Sequence, residues 1–138
     1  MSGRKDLKPK CYKYPSLKEW RINGPEGPYH RLDGPAIEWA YGTKEWIQNG
    51  QRHRLDGPAI EWANGTKEWY QNGQCHRLDG PAIERVDGDK EYWIRGTDLN
   101  EKEIETFNYL QTCELKELPL HIGTIFDELI EKRLRNES

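Results

Sequence analysis

Apolar residues are scarce in this chain: 34% of its 138 residues are hydrophobic, while 33% are charged. That shortage excludes the thick core of a compact α/β enzyme. Nowhere does the sequence hold the ~20 consecutive apolar residues that a membrane-spanning helix needs. The opening MSGRKDLKPK has no apolar stretch, so no secretory signal is expected, and the chain is expected in the cytoplasm. Cysteine is sparse as well. Cys11, Cys75 and Cys113 are far apart, odd in number and form no CxxC pair, so free thiols in a reducing compartment are expected. No HExxH, P-loop or GxGxxG motif is present, and no cofactor is expected.

Aromatic residues are plentiful instead. Six Trp and seven Tyr, with a net charge of only −3, set the chain apart from disordered sequences. Aromatics here carry the burial that Leu and Val carry elsewhere. A thin, extended sheet with aromatic rows accounts for the mixture. Charge is uneven along the chain. Residues 1–16 form a basic arm, with Arg4, Lys5, Lys8, Lys10 and Lys13 against Asp6 alone, and from Asp98 onward ten acids face five bases.

The middle of the chain repeats itself. His30-Arg31-Leu32-Asp33-Gly34-Pro35-Ala36-Ile37-Glu38 recurs from His53 and from His76, at offsets of 53 − 30 = 23 and 76 − 53 = 23 residues. The first two copies differ only at Tyr41/Asn64, Ile47/Tyr70 and Arg52/Cys75. Lys18-Glu19-Trp20-Arg21-Ile22-Asn23-Gly24 matches the second half of a unit, so a partial repeat precedes the first full one. Three segments follow: the arm 1–16, repeats over 17–97, and an acidic segment over 98–138.

Each unit reads as a β-hairpin. Ala36-Ile37-Glu38-Trp39-Ala40 alternates, with Ile37 and Trp39 on one face. Tyr41-Gly42, Asn64-Gly65 and Asp87-Gly88 are expected to be two-residue type I′ turns, which need positive φ at both positions. Such a turn pairs Ile37 with Trp46, Ile60 with Trp69 and Ile83 with Tyr92. It also gathers Trp20, Trp46, Trp69 and Tyr92 on the face that holds Trp39 and Trp62. The same register sets Glu38 against Glu45, so either a bulge shifts the pairing or a cation from the Arg31 series joins it.

The string Asn-Gly-Gln-Arg-His, then Asp-Gly-Pro-Ala, a short strand and Asn-Gly-Thr-Lys resembles a MORN repeat over Leu17 to about Gly96. The iterated His-Arg-x-Asp-Gly-Pro-Ala units are most similar to those of divergent MORN-like proteins of phages and large DNA viruses. Where common MORN repeats carry His-Gly-x-Gly, this chain has His-Arg-Leu-Asp-Gly. The resemblance implies a β-hairpin repeat sheet used for interaction and not for catalysis. It also implies a viral protein acting in the host cytoplasm, where it would bind and block a host defence protein.

After Gly96 the apolar period changes to that of a helix. Asn100 and Glu103 have capping-box spacing, followed by Ile104, Phe107 and Leu110 or Gln111. A second helix is expected near Pro119, with Ile122, Ile125, Phe126, Leu129 and Ile130 as its stripe, and self-association through that stripe is one use for it. The last repeat drifts: Arg85 replaces Trp39 and Trp62, Ile94 replaces Gln48 and Gln71, and Arg95 replaces Asn49 and Asn72. Terminal repeats are often altered to cap an array. The fold class expected is therefore mainly β with an α tail.

His-Arg-x-Asp could in principle hold a general base, an anion binder and an orienting carboxylate. Its threefold repetition favours a turn-stabilising device, with Asp33 bonding nearby backbone N–H groups. A shared metal site fails on spacing, because His30, His53 and His76 recur every two strands, roughly 10 Å apart. Net negative charge argues against nucleic acid. The chain thus reads as a non-enzymatic binding module. Trp39, Trp62, Trp46, Trp69, Arg31, Arg54 and Arg77 are its candidate partner-binding residues, because Trp and Arg dominate interface hot spots. The alternative is a sponge for a nucleotide or other small anion, with His30, His53 and His76 as candidate ligand contacts and Arg forks on the anion.

Overall fold

A computed structural model describes residues 8–111. Its main feature is an eight-stranded antiparallel sheet in the order β1-β2-β3-β4-β7-β8-β11-β12. The strands are β1 (Lys10–Lys13), β2 (Leu17–Arg21), β3 (Ile37–Trp39), β4 (Lys44–Glu45), β7 (Ile60–Glu61), β8 (Lys67–Glu68), β11 (Ile83–Glu84) and β12 (Lys90–Glu91). Between these pairs the chain makes a second, smaller hairpin: β5 (Ile47–Gln48) with β6 (Gln51–Arg52), β9 (Tyr70–Gln71) with β10 (Gln74–Cys75), and β13 (Trp93–Ile94) with β14 (Thr97–Asp98). Helix α1 (Glu101–Gln111) follows. The chain is mainly β with a helical tail, built of β-hairpin units. Within the basic arm, Lys10–Lys13 form the edge strand on β2. The expected second helix lies outside the described residues. Among those residues no helix is long and apolar enough to cross a membrane.

Each unit therefore holds two hairpins, and the two-residue turns are not where the sequence suggested. Asn49 and Gly50 have φ of 51° and 79°, and Asn72 and Gly73 have 52° and 82°. Positive φ at both positions is the type I′ signature, and these turns close the small ribbons. The sheet hairpins close differently. Gly42 has φ 113°, Tyr41 is not in the left-handed region, and the Gly42 N–H donates to the Trp39 carbonyl. That is a three-residue loop with a glycine bulge, repeated at Gly65 and Gly88.

The extra loop residue moves the register by one. Ile37 faces Glu45, not Trp46; Ile60 faces Glu68, not Trp69; Ile83 faces Glu91, not Tyr92. The anticipated clash of Glu38 with Glu45 disappears, because Glu38 faces Lys44. Followed across the sheet, one face carries the row Glu19, Ile37, Glu45, Ile60, Glu68, Ile83, Glu91. The other carries Lys18, Glu38, Lys44, Glu61, Lys67, Glu84, Lys90. Every neighbour in the second row is of opposite charge, which favours this register over a one-residue slip.

The ribbons cover the isoleucine face. Buried Ala36, Ile37 and Ile47 form one cluster with Tyr29 and Trp39 against it, and Cys75, Ala82 and Ile83 form another with Trp69, Tyr70 and Trp93. The core is thin, as the composition demanded. Its carboxylates are all bonded: Glu45 by Trp39 Nε1, Glu68 by Trp62 Nε1 and Tyr70 Oη, and Glu91 by Arg85 and Trp93 Nε1. The Arg85 and Trp93 bonds hold the Glu91 carboxyl below its usual range. Burial, reinforced by Glu68, pushes the Tyr70 hydroxyl up to about 12. Burial, then Glu68 and Glu91, push the Cys75 thiol up to about 12, which keeps it protonated and inert.

The array ends in a modified unit. Ile94, where earlier units carry Gln, is buried at 1% exposure, and Tyr92 meets Phe107 of α1 edge-on at 5.4 Å. The capping box forms as expected: the Glu103 N–H donates to Asn100 Oδ1, and the Asn100 N–H donates to Glu103 Oε1. Arg95 stands at φ 50° in the place of Asn49 and Asn72. A non-glycine, non-asparagine residue in that region costs about 1 kcal/mol. Arg95→Asn should be more stable than Arg95→Ala by about 0.5–1 kcal/mol in urea titrations, because both lose the arginine side chain and only asparagine tolerates that φ.

Candidate functional site

The repeated His-Arg-Leu-Asp-Gly segment forms a loop that leaves one ribbon and enters the next sheet strand. Trp46 marks the switch between layers. Its N–H donates to Ala59 in the sheet, and its carbonyl accepts from the His53 N–H. Trp20 does the same with Ala36 and His30, and Trp69 with Ala82 and His76. Side chains alternate along a strand, so Trp46 lies opposite Glu45, on the Lys/Glu face.

The three arginines act as staples. Arg31, Arg54 and Arg77 each lie 3.8 Å above the ring of Trp20, Trp46 and Trp69, the tryptophan of the preceding unit. In the central copy, Arg54 Nε donates to Asp56 at 3.1 Å, and Nη1 donates to the Pro58 carbonyl at 3.0 Å and to Glu61 at 3.1 Å. The flanking copies repeat all three bonds. A cation from the Arg31 series thus does join Glu38, alongside the register shift. The loop glycine leaves room for this fold-back: a Cβ on Gly57 would stand 2.9 Å from the Arg54 guanidinium carbon and the guanidinium would have to shift.

The histidines are likewise engaged. His30 Nδ1 accepts the Asn49 N–H at 2.9 Å, His53 Nδ1 accepts that of Asn72 at 3.0 Å, and His76 Nδ1 accepts that of Arg95 at 2.9 Å. Each imidazole therefore ties its loop to the type I′ turn of the next ribbon, and its ring proton sits on Nε2. Among the described residues no group of three His, Cys, Asp or Glu could hold a metal.

Comparison with known protein families, curated proteins and solved structures finds no match.

The predicted site residues separate into two sets. Trp39 and Trp62 share the isoleucine face, where their Nε1 atoms bond Glu45 and Glu68. Trp46, Trp69, the arginines and the histidines belong to the loop side. The single aromatic row expected from the sequence is therefore two rows on opposite faces, a direct result of the one-residue register shift.

On the loop side, consecutive loops bound two near-identical clefts. One, of about 540 Å³, lies between Leu32-Asp33-Gly34 and the loop 53–56, with Trp46 and Gln48 in its lining. The next, of about 530 Å³, lies between the loop 54–57 and the loop 76–79, with Trp69 and Gln71 in its lining. Their rims carry two leucines that sequence reasoning missed: Leu32 is 70% exposed and Leu55 is 75% exposed. The signal was present. A leucine held at one position in a loop of His, Arg, Asp and Gly serves neither a strand pattern nor a turn. Beside each leucine stands an aspartate, Asp33 or Asp56, with 88% of its side chain exposed.

Proposed function

We propose that this chain is a non-enzymatic binding module that engages a protein partner along its loop edge. The supporting observation is the iterated pair of clefts with solvent-facing Leu32 and Leu55 on their rims. Leucines this exposed contribute little to folding, whereas apolar atoms beside aromatic clefts are what interfaces bury. The titratable groups expected of an active site serve the fold instead. Histidine Nδ1 atoms bond backbone N–H groups, and each arginine is held by a tryptophan, an aspartate, a carbonyl and a glutamate. The resemblance to iterated viral MORN-like units points to a host protein as the partner.

Leu32→Asp together with Leu55→Asp tests this reading. Both side chains are mostly in water, so the thermal midpoint should stay within about 2 °C of the parent. Capture of a stoichiometric partner from host cells should fall by at least about tenfold. Capture that ignores both substitutions places the interface elsewhere. A second reading, sequestration of a small anion, draws on the cleft volume and on the guanidinium in each cleft. Native mass spectra showing an added mass of a few hundred daltons, retained in the double variant and lost on denaturation, would favour it.

A further inference from the structure

The clefts repeat at a fixed interval, and that interval selects among peptide conformations. One unit advances the sheet by two strands, about 2 × 4.8 Å or roughly 9.6 Å. A polyproline II helix rises 3.1 Å per residue with three residues per turn, so equivalent side chains recur about every 9.3 Å on one side. An extended β-strand covers a similar distance in three residues, but its period of two turns every third side chain to the opposite face. An α-helix returns to the same side after seven residues, about 10.5 Å, and overshoots the interval.

Chemistry inside the clefts points the same way. Each is lined by a tryptophan, Trp46 or Trp69, with one ring face under its arginine, and carries rim leucines against which the flat ring of a proline can pack. Proline-rich segments dock into aromatic-lined grooves because their conformation is already fixed before binding. The exposed rim charges are carboxylates. Asp33 and Asp56 each meet their own arginine through one oxygen, Oδ1, while 88% of the side chain faces solvent. The complementary ligand is basic.

We propose that the two clefts are successive pockets for a proline-rich, polyproline II segment of the partner protein. Prolines three residues apart seat beside Trp46 and Trp69, and an intervening lysine or arginine meets Asp33 or Asp56. The proposal rests on the loop edge being the interface and specifies what it recognises.

Calorimetric titration of the full chain with the peptide (Pro-Pro-Arg)4 tests it. Binding is expected with Kd on the order of 10–100 µM, ordinary for a short docking motif of about 5.5–7 kcal/mol. Two comparison peptides separate the causes: (Pro-Ala-Ala-Arg)3 breaks the three-residue spacing, and (Pro-Pro-Glu)4 reverses the charge. Each should bind at least about tenfold more weakly, as should the parent peptide to Leu32→Ser/Leu55→Ser with its melting curve unchanged. Absence of heat up to ~1 mM peptide overturns the proposal, as does equal affinity for the four-residue spacing or indifference to the leucine variant. Loss of cellular capture in Leu32→Asp/Leu55→Asp without peptide binding would leave the interface standing and remove only its polyproline ligand.

Discussion

Arg54→Ala should destabilise the protein by about 3 kcal/mol, among the largest effects available to a side chain that is not apolar. The substitution removes a stack on Trp46 worth about 0.5–2 kcal/mol and three charge-assisted hydrogen bonds. The Pro58 carbonyl and Glu61 lose their donor together, and the bonds act through one planar fork, so the losses compound. Arg54→Lys should recover less than half, since an ammonium cannot stack and bridge two acceptors in fixed geometry. Arg52→Ala supplies the contrast. Arg52 lies two residues away and is 46% exposed, with two long bonds to Glu45 at 3.4 Å and a distant approach to the Tyr70 ring at 5.6 Å, and its loss should cost under about 1 kcal/mol. Urea titrations of the three variants decide the matter. Equal losses for Arg52→Ala and Arg54→Ala would mean that the staple carries no special weight.

Gly27→Ala should cost at least about 3 kcal/mol, for a backbone reason. A Cβ at Gly27 would collide with the Ile22 carbonyl oxygen, and main-chain atoms have no alternative rotamer to retreat to. The crowding arises because the link from Asn23 to His30 folds tightly on itself. The Gly27 N–H donates to the Gly24 carbonyl at 3.0 Å, the Ile22 N–H donates to Pro28 at 3.1 Å, and Arg21 Nη1 donates to the Gly27 carbonyl at 2.6 Å. Ile22 is a buried core residue, so a displaced loop drags core packing with it. Gly24→Ala is the matched comparison. Gly24 sits at φ 92° with open space around it, so its substitution should cost only about 1 kcal/mol of backbone strain. Thermal melts that rank Gly24→Ala as the more damaging would overturn this account. Hydrogen exchange should place the extra opening of Gly27→Ala in β1 and β2.

Much of the architecture was legible because repetition writes it three times. The 23-residue period, the β-hairpin units, the half repeat before His30, the capping box at Asn100 and the altered last unit all follow from residue identity and spacing. Register was not legible. Asn-Gly and Asp-Gly favour a two-residue turn, yet Asn64-Gly65 sits in a three-residue bulged loop, while the same dipeptide at 49–50 and 72–73 makes the two-residue turn. Tertiary contacts decide between them. The Thr43 hydroxyl accepts the Ala63 N–H from the neighbouring loop at 3.0 Å, and the wider loop places that N–H within reach. The error in register then moved Trp46 and Trp69 to the wrong face. It also hid the rim role of Leu32 and Leu55, which depends on how successive loops stand beside one another. No local pattern encodes that arrangement.

The two charge-and-apolar rows bear on how such a chain changes over time. Each joint between units presents the same sequence of partners: lysine to glutamate on one side, isoleucine to glutamate on the other. A unit gained or lost through recombination between near-identical coding segments leaves both new joints correctly matched. Only the ribbon positions that differ between units, Ile47 against Tyr70 and Arg52 against Cys75, would need to adjust in the core. Cleft number can then vary in whole steps, and with it the avidity for a ligand that spans several clefts, since each added pocket engages a segment already held nearby. If the clefts are the binding sites proposed above, copy number would set binding strength in steps that no point substitution provides.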